Sequence, residues 1–186
     1  MIRPALPSDS KKIAQLIVQA MGDLAIKFSN SDRPEIAISL FEHFFILTDN
    51  QYSFENILVY ENEEEVVGVI DAYDGAKLEI YRKPFFDYLA EHFGLVNFNP
   101  EPETESGEFY LDTISVDPAA QGKGIGKLLI VAGIDWAKKL GHKTVGLLVD
   151  VNNDRALKLY QNMDFEIVEK KPFMGGLYHH MVYKII

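Results

Sequence analysis

The chain has 186 residues, 47% hydrophobic and 25% charged, a balance that can bury a core and that points to one domain. Its formal net charge of −10 argues against a nucleic-acid partner, because phosphate backbones are held by lysine and arginine in excess. It has no cysteine, which excludes disulfides, thiolate metal sites and a cysteine nucleophile. No run approaches the ~18 apolar residues of a membrane span, and the first residues lack an apolar signal core, so a cytoplasmic, non-membrane protein is expected.

A short strand opens the chain. A helix then follows a Ser8 cap, with apolar residues at helical spacing from Ile13 to Leu24. A second helix is expected from Asp32, where Glu35 suits a capping box, carrying Ile36, Leu40, Phe41, Phe44 and Phe45. "FENILVY", the polar "ENEEE" and "VVGVIDAY" read as a hairpin. Residues 75–107 form an excursion between strands. In it "KPFFDYLAEHFG" has helical spacing with Gly94 as its stop, and the acidic "LVNFNPEPETESGE" is a loop. The excursion is too short and too poor in core for a second domain, and its aromatic residues suit a packed insert.

From Glu108 strands and helices alternate. "FYLDTISV", residues 109–116, is a strand. A helix from Ile125 to Gly141 puts Leu128, Leu129, Ala132, Trp136, Ala137 and Leu140 on one face. "TVGLLVDV" is a buried strand, Asp154 to Met163 a short helix, and "FEIVEKK" pairs with "LYHHMVYKI" at the end. This order implies an α/β fold, a mixed sheet with helices on its faces.

Between the 109–116 strand and the next helix lies "VDPAAQGKGIGKLL". Glycine-rich turns at such junctions hold phosphate, because backbone N–H groups reach the oxygens and the helix dipole favours the anion. A nucleoside-triphosphate loop fails. With Gly126–Lys127 as its GK pair, the first glycine falls on Gln121 and the metal-binding hydroxyl on Leu128. A dinucleotide fingerprint fails too, since its third glycine falls on Lys127 or Leu129. What fits is Q-x-x-G-x-G, Gln121 to Gly126, with Lys123 and Lys127 adding local positive charge.

This segment resembles the acetyl-CoA site of GNAT-type N-acetyltransferases. "NDRALKLYQNMDF", Asn153 to Phe165, is similar to the family's N-x-x-A-x-x-L-Y-x-x-x-G-F, with Asp164 in place of the glycine. Aspartate can adopt the left-handed conformation that ends a helix, though less readily than glycine. The specific resemblance covers residues 109–165. It implies a GNAT-like fold over residues 1–186: a central mixed, mostly antiparallel sheet, helices on both faces, and an acetyl-CoA cleft between two splayed parallel strands. The implied activity is transfer of an acetyl group from acetyl-CoA to a primary amine of a small molecule or peptide, by direct attack in a ternary complex and without a metal. Dimers are common in the family, which leaves a homodimer open.

The resemblance also assigns residues. Gln121, Gly122, Lys123, Gly124, Ile125, Gly126 and Lys127 would hold the pyrophosphate. The backbone of Ile114, Ser115 and Val116 would pair with the pantetheine amides. Asn153 would hydrogen-bond the cofactor, and Tyr160 would protonate the departing thiolate. Read from residues alone, Asn153 also fits a helix cap, and Tyr160 fits core packing beside Met163. Asp112 shares a strand face with Tyr110, Ile114 and Val116 and is the candidate base, with a structural carboxylate as the equal alternative. Glu108 and Asp150 are weaker candidates. His179 and His180 face opposite ways on the last strand; one could line the acceptor pocket, but surface positions suit them better. The alternative function is a non-catalytic sensor that binds CoA or an acyl-CoA, against which Tyr160 argues.

Overall fold

The computed structural model describes residues 1–186. Seven strands form one sheet: β1 (Ile2–Pro4), β2 (Ile57–Asn62), β3 (Glu65–Asp74), β4 (Phe109–Val116), β5 (Thr144–Asp150), β6 (Glu166–Phe173) and β7 (Gly176–Lys184). Their spatial order is β1-β2-β3-β4-β5-β7-β6. Every neighbouring pair is antiparallel except β4 and β5. That parallel pair is in register only at Phe109↔Val145 and Tyr110↔Gly146. Beyond Tyr110 the two strands part, and a cleft opens between them.

Alternation along β3 builds two layers. Val69 enters a core with α1 (Ser10–Met21), α2 (Asp23–Ser29), α3 (Pro34–Phe45) and α4 (Leu78–Phe93). Its neighbours Ile70 and Ala72 face α5 (Ile125–Lys139) on the other side. The short α6 (Asp154–Gln161) follows β5.

Several local expectations shift. Helix α1 starts at Ser10, after a 3-10 turn over Pro7–Asp9, so Ser8 is no cap. The Asp9 carboxylate instead accepts from the Leu6 N–H and pairs with Arg3. The chain turns at Gly22, with φ of 52°, and Leu24 falls in α2. Helix α3 begins at Pro34, where a missing N–H costs nothing, and Glu35 pairs with Arg33 instead of closing a box from Asp32.

The insert is packed, as expected. Helix α4 starts earlier, at Leu78, and sends Phe85 and Leu89 wholly into the first core. On α5 the buried stripe is Ile125, Leu129, Ile130, Gly133 and Ala137, while Leu128 and Leu140 are exposed. Gly133 is the cause. A Cβ there would lie 2.9 Å from Ile70 Cδ1 and 3.0 Å from Leu111 Cδ2, so its bare backbone lets the helix settle on the sheet.

Candidate active site

The glycine turn sits between β4 and α5. Gly122 and Gly124 have φ of 78° and 79°, the left-handed region that side chains disfavour. A Cβ at either would meet nothing within 4 Å, and one at Gly126 only Val116 Cγ2 at 3.9 Å. The space before the turn is therefore open. From behind, Gln121 Nε2 donates to the Val116 carbonyl at 3.0 Å, and Asp117 accepts from the Ala119 N–H and pairs with Lys12. No side chain caps α5, so its first-turn N–H groups stay available to an anion. Lys123 and Lys127 are exposed beside them, while Ile125 is buried. A pyrophosphate fits this turn.

Along β4 the pairing with β3 slips. Asp71 faces Thr113 and Ala72 faces Leu111, which leaves Asp112 as the extra residue of a β-bulge. The bulge brings Asp112 and Thr113 to one cavity of about 360 Å³, with Tyr110 and Ile114 beside them. Across the cleft the cavity is walled by Leu148, Val149 and Asp150 of β5 and by Asn153, Ala156 and Tyr160. The far end is formed by α1, α2 and α4 and by the loop before β4. Ser115 turns away from the cavity, and its hydroxyl accepts from Gln19 Nε2 at 3.0 Å. The Val116 carbonyl accepts from the same amide.

Asp112 is the electrostatic centre. The Tyr73 hydroxyl donates to its Oδ2 at 3.0 Å and the Thr113 hydroxyl to its Oδ1 at 3.0 Å. Burial pushes its carboxyl up, the two hydroxyls pull it back, and it comes to rest at about 6. Glu103, 6% exposed on the loop before β4, is 3.5 Å from the same Tyr73 hydroxyl. Burial and then the Asp112 charge raise it to about 7. Behind them Asp71 is wholly buried, with neither oxygen hydrogen-bonded. Burial, reinforced by Asp112, raises its carboxyl far above the carboxylate range.

Tyr160 lines the cavity half-buried, edge-on to Phe165, and burial raises its phenol to about 12. Asn153 caps α6: its side chain accepts from the Ala156 N–H at 3.1 Å. Asp164 adopts φ of 64°, the left-handed conformation expected where glycine was missing.

Asp150 reaches the cavity wall, but Glu108 does not. It accepts from the Thr104 hydroxyl at 2.6 Å and meets His180 Nε2 at 2.9 Å. His180 is therefore no surface residue, being 3% exposed. Burial lowers its pKa, and the Glu108 contact outweighs that, so the net shift is upward. Neither His179 nor His180 lines the cavity.

Glu103, Tyr73 and Gln51 also belong to this site, and little in the sequence marks them. Tyr73 carried a weak signal, standing in the polar tail "IDAY" of an otherwise apolar strand. Glu103 and Gln51 carried none that separates them from neighbouring loop residues.

Residues 18–165 match the acetyltransferase (GNAT) family. A crystal structure of an acetyltransferase shares 33% identity and a TM-score of 0.84, with both chains covered in full. An N-acetyltransferase from Staphylococcus aureus Mu50 shares 27% identity and a TM-score of 0.87, over 98% of this chain and 100% of that one. Mycothiol acetyltransferase of Renibacterium salmoninarum is 40% identical over 74 residues, 40% of this chain and 21% of that protein. This chain thus spans only about a fifth of the curated relative it matches. The yncA protein from Salmonella typhimurium, solved with acetyl-CoA, shares the fold at 18% identity and a TM-score of 0.62, over 99% and 92% of the two chains. The open parallel cleft, the glycine turn and the family match agree: this chain belongs to the GNAT acetyltransferase family.

Proposed function

We propose that the chain is an N-acetyltransferase that moves the acetyl group of acetyl-CoA to a primary amine by direct attack in a ternary complex. One observation carries this reading. Strand β4 runs from a cavity holding Asp112 and Tyr160 straight to an uncapped glycine turn fit for pyrophosphate.

Acetyl-CoA supplies an acyl group already activated as a thioester. The backbone from Gln121 to Lys127, with the Lys123 and Lys127 charges, holds its pyrophosphate. The open edge of β4 at Ile114, Ser115 and Val116 pairs with the pantetheine amides as an added strand would. The Val116 carbonyl already accepts two side-chain amides, so Ile114 and Ser115 carry most of that pairing. Asn153 borders the acyl end, and a β4 backbone N–H polarises the thioester carbonyl.

The amine arrives as an ammonium with a pKa near ~10 and must lose a proton. Asp112 Oδ1 or Oδ2 takes it, directly or through one water. The nitrogen lone pair then forms the C–N bond as the C–S bond breaks, and the nitrogen sheds its second proton to solvent as the neutral amide forms. Tyr160 Oη gives its proton to the departing sulfur and regains one from solvent. A phenol raised to about 12 stays protonated at neutral pH, the form that can donate.

Thermal unfolding tests the cofactor assignment. At a hundredfold excess over its Kd, acetyl-CoA adds about 2.7 kcal/mol, a rise in Tm of about 5–10 °C, while ATP and NAD add none. No shift with any CoA thioester at millimolar concentration overturns the reading. Thiol release across an amine panel then separates an enzyme from a sensor.

A further inference from the structure

We propose that the acceptor is a small dication, a short alkyl chain with one ammonium placed for acetylation at Asp112 and a second held at Glu103. The proposal rests on the acetyl-transfer reading and names its substrate class.

The cavity's charges are all of one sign. Glu103, Asp112 and Asp150 line it, and no lysine, arginine or histidine does. The cation whose charge reaches Glu103 is Arg82, which is paired with Glu79 at 2.6 Å and donates to the Pro100 carbonyl at 3.4 Å. An amine bearing a carboxylate or phosphate meets no counter-charge here.

One ammonium does not satisfy this set. After its proton passes to Asp112, that carboxyl is neutral, yet Glu103, 6% exposed, and the part-buried Asp150 still line the cavity. A second ammonium that keeps its charge offsets them. Glu103 is the better placed to hold it. The single Tyr73 hydroxyl proton is given to Asp112 at 3.0 Å, and Glu103, 3.5 Å from that hydroxyl, has only a backbone N–H beside it.

An independent observation points to a donor-bearing ligand. Gln51, 3% exposed, lies in the wall of the same cavity, and its Oε1 has no hydrogen-bond partner. A buried acceptor left open is costly unless a ligand N–H meets it. Rings from Phe28, Tyr52, Phe86 and Tyr110 surround the same end, where they suit methylenes and the faces suit an ammonium.

Exposed hydrogen bonds link the elements that flank the cavity. Lys27 Nζ donates to the Met174 carbonyl, and the Met174 N–H donates to Glu101 Oε2 at 3.2 Å. Asn30 Nδ2 donates to the Phe93 carbonyl at 3.1 Å. These bonds tie the β6–β7 turn to α2 and to the loop before β4, and the end of α2 to the end of α4.

The test compares diaminobutane, butylamine and γ-aminobutyrate, equal chains whose second group is positive, absent or negative. Thiol release from acetyl-CoA should give the diamine a kcat/KM about tenfold or more above butylamine, carried by KM, with γ-aminobutyrate lower still. Glu103→Gln should bring the diamine preference to within about threefold. Equal values for diamine and butylamine in the wild-type protein overturn the proposal, whether or not the variant folds. Titration of the amines by NMR without acetyl-CoA separates the two readings. Selective diamine binding with no turnover of any amine keeps the dication site and sinks acetyl transfer. Turnover without diamine selectivity does the reverse.

Discussion

The Tyr73 hydroxyl donates to Asp112 Oδ2 across 3.0 Å, from the neighbouring strand β3. A donor to the ionised form lowers a carboxyl's pKa, so Tyr73 keeps the base ready at neutral pH. Asp112→Asn should lower kcat by ~10²-fold or more and remove the acid limb of the rate profile near pH 6. Tyr73→Phe should retain activity but move that limb to higher pH. A profile unmoved in both variants assigns the acid limb to another group.

Stability should carry the same signature with opposite benefit. Asp112 and Glu103 are raised from 3.8 and 4.5 to about 6 and about 7, so the folded state binds more protons than the unfolded one. Their contribution is fully present below about pH 4 and is lost as pH rises through 6 and 7. Glu103→Gln removes one titration. The variant's Tm, measured against wild type, should therefore climb between pH 5 and 8. A difference that stays flat over that range means Glu103 titrates normally.

At the glycine turn, Gly126 is the informative position. Gly124→Val forces a β-branched residue to φ of 79°, so its loss of binding would mix with backbone strain. Gly126 lies in the first turn of α5, and a Cβ there meets only Val116 Cγ2 at 3.9 Å. Gly126→Val should fold with a Tm near wild type and lose the CoA-induced rise. Retained CoA affinity would put the phosphates elsewhere.

Gly146 tests what closes the parallel pair. A Cβ there would sit 2.1 Å from Glu108 Oε2, the oxygen that meets His180. Gly146→Ala must push that carboxylate off His180 and Thr104, leaving buried polar groups unpaired at a cost of about 1–3 kcal/mol. Chemical denaturation should show that loss. An unchanged midpoint would mean the Glu108 cluster repacks freely.

What was legible in the sequence was local. Strand β4 read at its observed bounds, and the glycine turn and the Asn153–Phe165 segment stood where their spacing put them, because each depends on nearby residues. What escaped depends on pairing across the sheet. Alternation alone gives Asp112 and Thr113 opposite faces. Both reach the cavity because β4 carries one residue more than β3 between Thr113 and Leu111, and no feature of "FYLDTISV" announces that bulge. Glu103 reads like Glu101 and Glu105 in an acidic loop, and only its burial among Tyr73, Asp112 and Pro100 distinguishes it. Gly133 defeated the helix reading for a related reason: the centre of a buried stripe was a residue with no side chain.

Tyr160 offers the sharpest test of chemistry against packing. The ring fills the cavity wall against Phe165, and Tyr160→Phe keeps that contact while removing one hydroxyl. If the ring only packs, kcat should stay within about twofold. If Oη protonates the leaving sulfur, kcat should fall by ~10²-fold or more, with CoA affinity within a few-fold because the ring remains. The pH profile adds a second readout. A phenol at about 12 loses its proton only at the alkaline extreme, so removing it should leave the acid limb near 6 untouched and alter only the high-pH side. Acyl donors with better leaving groups than a CoA thiolate need less help from an acid, and they should be less sensitive to the substitution. A Phe variant with wild-type kcat, measured where chemistry limits the rate, removes Tyr160 from the mechanism and leaves solvent to protonate the thiolate.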